Sequence, residues 1–241
     1  MKLKLLVAEL FAVLAFVGCT SNESLQIVNQ NEKFGLYNVN TKKNQIPVMY
    51  DDLTLMKNYN SRNEQFSSKN VLNLHWIHNR DTKEYFIYEY KNLYGIISED
   101  NKIIFEPIFS EISDFYQGVA VVKENDKYGY INKDFELIQK PLYSDARDFV
   151  DEISFVKSFI NNKYACINPD MKLLSGFDYD KVFDFSEGLA RVLKDNKWGF
   201  INKDCKEVIA PKFDFASDFI EGKAKVIESE KTYFIDKNNI K

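Results

Sequence analysis

His75 and His78 stand three residues apart in a chain of 241 residues that has 2 histidines. On a strand such a pair points to opposite faces, and only on a helical turn would the two rings converge on a metal. A solvated or partly packed loop pair is the expectation, with no metal bound. Four aspartates recur in phase, Asp114, Asp148, Asp184 and Asp218, each followed by Phe. Glycoside hydrolysis uses two carboxylates at a defined separation, one with a raised pKa. A carboxylate that repeats with every unit is better explained as a corner residue bonding local N–H groups. The chain has no G-x-S-x-G, no Gly-rich phosphate loop and no C-x-x-C, the patterns that carry acyl transfer, nucleotide binding and thiol redox chemistry. The sequence therefore assigns no catalytic residue, no metal and no cofactor.

The elements that hold these residues repeat. The phrase Lys197-Trp198-Gly199-Phe200-Ile201 returns as Lys127-Tyr128-Gly129-Tyr130-Ile131 and, altered, as Lys163-Tyr164-Ala165-Cys166-Ile167. Tyr94, Tyr128, Tyr164 and Trp198 are 34, 36 and 34 residues apart (128−94, 164−128, 198−164), a period that marks a repeat architecture. Each period holds three extended runs separated by Asn/Asp turn pairs, so each unit reads as a three-stranded antiparallel meander. Pro47, Pro107, Pro141 and Pro211 each lie thirteen residues after a key aromatic; lacking a donor N–H, Pro is expected to end the third strand. The Asp-Phe corner then leads to the next unit, with room for a short helical turn. On the key strand Trp198 and Phe200 face one side, Gly199 and Ile201 the other. One meander cannot bury both faces, so neighbours must stack, and the Gly is expected to admit a backbone or ring from the adjacent unit.

The predicted fold is all-β: tandem meanders of ~34 residues stacked as a curved solenoid or propeller-like array. Units are expected near 25–93, 94–127, 128–163, 164–197 and 198–231, with a partial unit at 232–241. The first carries an insertion between about Thr54 and Lys83. The phrase K-[YW]-G-[YF]-I-N, the Asn-Lys-Asp turn and the corner Ser217-Asp218-Phe219-Ile220-Glu221-Gly222 resemble the WG-repeat family of bacterial proteins over about Leu25 to Asp236. That resemblance implies a β-rich tandem array, often on secreted or membrane-anchored proteins, and no catalytic residues.

The amino-terminus reads as a targeting segment. Lys2 and Lys4 precede an apolar stretch, Leu5 to Val17, broken only by Glu9. It is too short to span a bilayer and fits a signal peptide. Phe16-Val17-Gly18-Cys19 resembles the bacterial lipoprotein cleavage box, which implies removal of residues 1–18 and lipid attachment at Cys19, followed by a tether at 19–24. Thr20, where Asp would retain a lipoprotein at the inner membrane, points to the outer membrane of a two-membrane cell. Cys166 and Cys205 sit in different repeat contexts; a buried free thiol is the plainer reading of each, and a bridge between them stays open.

A net charge of −4 argues against nucleic acid, whose binding needs a basic face. Inserted segments of repeat arrays often carry recognition, and Tyr59, Trp76 and Arg80 are residue types favoured at interfaces. Trp76 packing an extra strand onto the array is the plainer alternative. The expected function is non-enzymatic: an envelope-anchored lipoprotein, periplasmic or at the cell surface, that binds a protein or glycan. The alternatives are a glycan-cleaving hydrolase and a purely structural spacer.

Overall fold

The hairpin turns rest on residues with left-handed backbone. Asn125 and Asp126 have φ of 50° and 60°, Asp195 and Asn196 of 51° and 62°, and such turns match the twist of the strands they join. The structure, a computed structural model, describes residues 15–19, 24–59 and 83–238. Among the described residues there are strands and no helix.

The strands form antiparallel sheets in chain order. The first sheet holds β1 (Ala15–Cys19), β2 (Leu25–Gln30), β3 (Lys33–Asn38) and β4 (Lys43–Tyr50). Then come β5 (Asp52–Leu55) and β6 (Asn58–Tyr59); β5 joins β7 (Tyr85–Tyr90), β8 (Leu93–Ser98) and β9 (Ile103–Phe109) in the second sheet. The third comprises β10 (Glu111–Ile112), β11 (Phe115–Tyr116), β12 (Val119–Glu124), β13 (Lys127–Asn132) and β14 (Leu137–Tyr143), with β6 added parallel to β11. The fourth is β15 (Asp145–Ala146), β16 (Ser154–Lys157) and β17 (Tyr164–Ile167). The fifth is β18 (Lys181–Val182), β19 (Ala190–Lys194), β20 (Lys197–Ile201) and β21 (Glu207–Phe213). The sixth is β22 (Phe215–Ala216), β23 (Ala224–Glu228) and β24 (Lys231–Ile235).

The chain divides into two compact units, Met1–Lys57 with His75–Ser110, and Asn58–Leu74 with Glu111–Lys241. In the second unit the apolar cores lie between successive sheets. Tyr130 of β13 packs with Phe149, Val156 and Ile167 of the fourth sheet. Cys166 of β17 packs with Val192 and Ile201 of the fifth, and Phe200 of β20 with Phe219, Val226 and Ile235 of the sixth. The Phe of the Asp-Phe corner supplies part of each core. Phe149 meets Tyr130 edge-on at 5.4 Å and Phe219 meets Phe200 at 4.8 Å, the geometry aromatic quadrupoles favour. In the first unit, Leu36, Ile46 and Tyr50 pack against Leu53, Phe86 and Tyr88 in the same way.

Several expectations need correction. Proline does not end the third strand: Pro47, Pro107, Pro141 and Pro211 lie within β4, β9, β14 and β21. The register shifts between Tyr128 and Tyr130 and between Trp198 and Phe200, so Pro occupies a bulge, where no ladder donor is required. That bulge also explains the glycine. A Cβ on Gly129 would lie 2.4 Å from Gln139 O, and one on Gly199 would lie 2.5 Å from Ile209 O and 2.6 Å from Pro211 N. The close approach comes from the sheet's own third strand, not from the adjacent unit. Ala165 replaces Gly where that strand is missing: residues 172–180 make only the bridges Ile167↔Leu173 and Tyr164↔Tyr179. Tyr233 takes the glycine's place in β24, opposite Val226 as Gly199 is opposite Val192, with its ring 6.5 Å from that of Phe213.

The corners hold no helical turn; two- to four-residue strands (β5, β15, β18, β22) cross from one sheet to edge the next. Residues Asp52–Leu55 belong to such a strand, so the insertion begins beyond them. Trp198 is half-buried at the sheet margin, whereas Phe200 is fully buried. The strand expected at Val71–His78, with His75, Trp76, His78 and Arg80, lies outside the described residues.

The Lys that opens the repeat phrase has a partner at the corner. Lys163 Nζ lies 3.1 Å from Asp180, and Lys33 and Lys197 pair with Asp51 and Asp214. Each Asp also accepts an N–H from the turn of the following sheet: Lys91 to Asp51 at 2.9 Å, Asp195 to Asp180 at 3.1 Å and Ser229 to Asp214 at 3.0 Å. One carboxylate thus ties the key strand of one sheet to the hairpin of the next. The Lys33 ammonium and the Lys91 N–H hold Asp51 below the ordinary aspartate value, and Lys197 with the Ser229 N–H does the same for Asp214.

The two thiols are bonded. Cys166 and Cys205 form a disulfide with Cα atoms 6.3 Å apart, joining the fourth sheet to the fifth. Cys205 has φ 58° at a turn position shared with Phe135 and Met171, both at φ 61°. Apolar side chains at that position tuck inward, while Asn101 there is exposed: Met171 packs against the Tyr130 core, and Phe135 meets Phe115 edge-on at 6.0 Å.

Candidate functional site

A polar surface of the second unit surrounds Arg147. Its backbone follows β15, where its N–H donates to Phe155 O at 3.1 Å. Its carbonyl accepts the hydroxyls of Tyr130 and Ser154. Burial pushes the Tyr130 hydroxyl well above the ordinary tyrosine range, with the Ser154 bond opposing, so Tyr130 serves as a neutral buried donor that fixes the Arg147 backbone.

The Arg147 guanidinium reaches the next sheet. Nη2 donates to Val182 O at 3.1 Å and Nη1 lies 3.6 Å from Asp184. The same group lies over the rings of Phe155 and Tyr164, at 5.8 and 5.6 Å. Tyr164 donates to Asp145 at 2.8 Å, and burial and then Asp145 raise its pKa. Arg191 repeats the device one sheet on. Its guanidinium lies 3.7 Å over Phe183 and 5.4 Å from the Trp198 ring, and Nη1 donates to Ala216 O at 3.0 Å. Its Nε is 2.7 Å from Asp218 without a satisfied hydrogen bond; proximity makes this a charge contact, and the N–H direction misses the oxygen.

Asp184 and Asp218 face arginines of the preceding sheet, while Ser113 and Ser217 accept the local N–H groups of Val121 and Lys225, both at 2.9 Å.

Two open recesses flank Arg147. One of about 400 Å³ is lined by Glu111, Tyr128, Asp145, Asp148 and Asp184 beside it. The other, about 370 Å³, is lined by Lys157, Tyr164, Lys181, Phe183 and Asp184. Tyr128 carries Lys123 over its ring at 5.0 Å, and Lys123 also pairs with Glu111 at 2.8 Å. Glu111 and then Tyr128 raise the Lys123 pKa to about 12. Tyr128, Tyr164 and Trp198 are therefore half-exposed rings under cations. Cation over ring, with planar carboxylates alongside, can hold the flat and polar faces of a sugar or a side chain.

Of the residues expected to bind, Tyr59 lies in β6, its backbone parallel to Tyr116; Trp76 and Arg80 lie outside the described residues. Cys19 ends β1 and pairs with Gln26. Arg147 and Arg191 escaped the sequence reading. Their signal was a break in phase: Arg147 takes the place of Ser113, Phe183 and Ser217, and Arg191 that of Val121, Phe155 and Lys225. Among the described residues no group of three or more His, Cys, Asp or Glu could hold a metal. In the first unit, burial pushes Glu99 above the ordinary carboxylate range, with a backbone hydrogen bond from Glu84 opposing.

A family model described as WG containing repeat matches residues 94–128, 128–164, 164–198 and 198–231. No curated protein matches the chain. Among solved structures the chain is similar to Hsv2p of Kluyveromyces lactis, at 12% identity over 90% of this chain and 72% of that one, TM-score 0.40. It is similar to a eukaryotic initiation factor at 9% identity over 90% and 61%, TM-score 0.45. It is also similar to the dihydro-heme d1 dehydrogenase NirN at 9% identity over 89% and 52%, TM-score 0.33. At such identities these are likenesses of fold alone.

Proposed function

We propose that this chain, which belongs to the WG containing repeat family, is a non-enzymatic scaffold that binds a protein or glycan at the cell envelope, anchored by a lipid on Cys19. The observation that carries the reading is the pair of open recesses around Arg147, walled by Tyr128 and Tyr164 and edged by carboxylates. Such walls favour recognition: rings supply flat apolar area, and fixed charges supply orientation. The charged groups there are already engaged with one another, as Arg147 is with Val182 O and Asp184. That suits a rigid binding surface better than proton transfer.

The Cys166–Cys205 bond supports an oxidising compartment, since such bonds persist outside the cytosol. It agrees with a cleaved leader ending at Gly18, whose removal would take all of β1 but Cys19 from the first sheet, and the lipid on Cys19 rests on the resemblance of residues 16–19 to a lipoprotein box. A hydrolase would place two carboxylates across a substrate groove, one of raised pKa; none of the carboxylates lining the Arg147 recesses is shown to have one.

The test is capture from envelope extract by residues 20–241, by the same chain with Arg147→Ala, and by a variant lacking Asn58–Asn79. Loss of a captured protein or glycan with Arg147→Ala supports the recess. Undiminished capture by Arg147→Ala with loss in the deletion moves binding to the inserted segment and overturns the site. Release of cleaved glycan by the intact chain overturns the non-enzymatic reading.

A further inference from the structure

The hairpin between β16 and β17 is unlike the others. Where Asp195-Asn196 closes the equivalent turn, this one runs from Ser158 to Asn162, and the longer spacing of its repeat (164−128 = 36 against 198−164 = 34) reflects the added residues. At its tip Phe159 is 54% exposed and Ile160 97% exposed. The loop is held firmly. Ser158 Oγ accepts the Ile160 N–H at 3.0 Å, Ser158 O accepts the Asn162 N–H at 3.1 Å, and Asn161 Nδ2 donates to Phe177 O at 2.9 Å. Two adjacent apolar side chains are thus presented on a pre-shaped turn, which lowers the entropy lost when they are buried.

The sixth sheet offers a matching surface. Phe234 is 57% exposed, while Tyr130, Cys166 and Phe200 at the same register position are fully buried by the sheet that follows each. On β24, Tyr233 and Ile235 pack inward against the fifth sheet. Phe234 and its cross-strand neighbour Lys225 therefore face the opposite way. That outward face carries a recess of about 620 Å³ lined by Phe234, Ile220, Lys223, Lys225, Asp218 and Glu221. Ile220 is 70% exposed, and Asp218 is engaged by Arg191, so the two lysines outweigh Glu221. Around the hairpin the balance is reversed: Asp178, Asp180, Asp195 and Glu207 stand against Lys157, Lys163 and Lys194, with Lys163 paired to Asp180 and Asp195 and Lys194 to Glu207.

We infer that the Phe159–Ile160 tip of one copy docks into the Phe234–Ile220 recess of a second copy, with Lys223 and Lys225 meeting the carboxylates at the base of the hairpin. The occupant is a second copy because this chain itself supplies both halves, an apolar tip over excess carboxylate and an apolar recess rimmed by excess lysine. The two patches differ, so the contact is head-to-tail and leads to rings or open chains, not to a closed two-fold dimer. The inference is independent of the ligand proposed for the Arg147 surface, although Lys157 and Asp180 also line a recess of that surface.

Sedimentation velocity of the full chain from low to high micromolar concentration tests it. The wild type should show a concentration-dependent rise in sedimentation coefficient, weakened by salt. Ile160→Asp changes a side chain almost wholly in solvent, so the fold is kept, and it should weaken association about tenfold or more. Lys225→Asp should weaken it too, and adding Asp178→Lys should restore it. A wild type that stays monomeric throughout, or an Ile160→Asp variant that associates as well as the wild type, overturns the proposal. Flotation of a monomeric wild type, lost in Ile160→Asp, with vesicles of phosphatidylcholine or of phosphatidylglycerol overturns it in favour of a lipid-inserting tip.

Discussion

Reducing the Cys166–Cys205 bond should cost the second unit about 4 kcal/mol. The bond closes a loop of sequence separation 39. In the chain-entropy treatment the unfolded state regains about 13 cal/mol/K when a loop of that length is opened, or about 4 kcal/mol at 25 °C. For a chain of this size that corresponds to a fall in melting temperature of roughly 8–16 °C. Both cysteines are buried at the junction of the fourth and fifth sheets, so the reduced thiols keep most of their packing and the loss is chiefly one of connectivity. The assay is urea unfolding of the purified chain with and without reductant, with thiol counting to establish the redox state, beside a Cys166→Ala, Cys205→Ala double variant. Reduced and doubly substituted chains should share one lowered midpoint. An oxidised chain and a fully reduced chain that unfold at the same urea concentration would refute the reasoning.

Gly199→Ala should lower stability by at least 2 kcal/mol, because its Cβ meets backbone of β21 at 2.5 Å and a strand cannot yield as a side chain can. Ala165→Gly should cost no more than about 1 kcal/mol, since the fourth sheet has no strand to press there; comparable losses in thermal melts of the two variants would refute the bulge account. Acid should weaken the corners. Asp51 and Asp214 are held below the ordinary value of 3.8 by Lys33 and Lys197, so their contribution is present above that pH and fades as pH falls through the lowered value. Asp214→Asn should lower the melting temperature at neutral pH and flatten its decline below pH 3.8; parallel curves for variant and wild type would show that the pair contributes nothing.

The period, the all-β class and the hairpin turns were legible because they rest on local rules: alternation on strands, left-handed turn residues, and rings needing cover from a neighbour. Proline misled because it was judged by its missing donor alone. At Pro141 and Pro211 the bulge makes that donor unnecessary, and the bulge is also what requires Gly129 and Gly199. The Cys166–Cys205 bond was hidden because one cysteine lies on a strand and the other at a turn, and only the inward direction of that turn position, shared with Phe135 and Met171, brings them together. The Arg147 surface was hidden for the opposite reason. A search for what recurs passes over Arg147 and Arg191, which stand where other units carry Ser, Phe, Val or Lys.

Tyr233 has a bearing on how the edge of β24 avoids pairing with strands of other chains. β24 is an edge strand of the sixth sheet, and the N–H and C=O groups of an edge strand invite strands from other chains. In every sheet here with a bulged outer strand, the arriving backbone folds over a residue that has no side chain. A phenol ring at that spot turns away any newcomer of the same shape. One substitution, glycine to tyrosine, thus makes the last strand a poor template, and Tyr233→Gly would convert it into a receptive one.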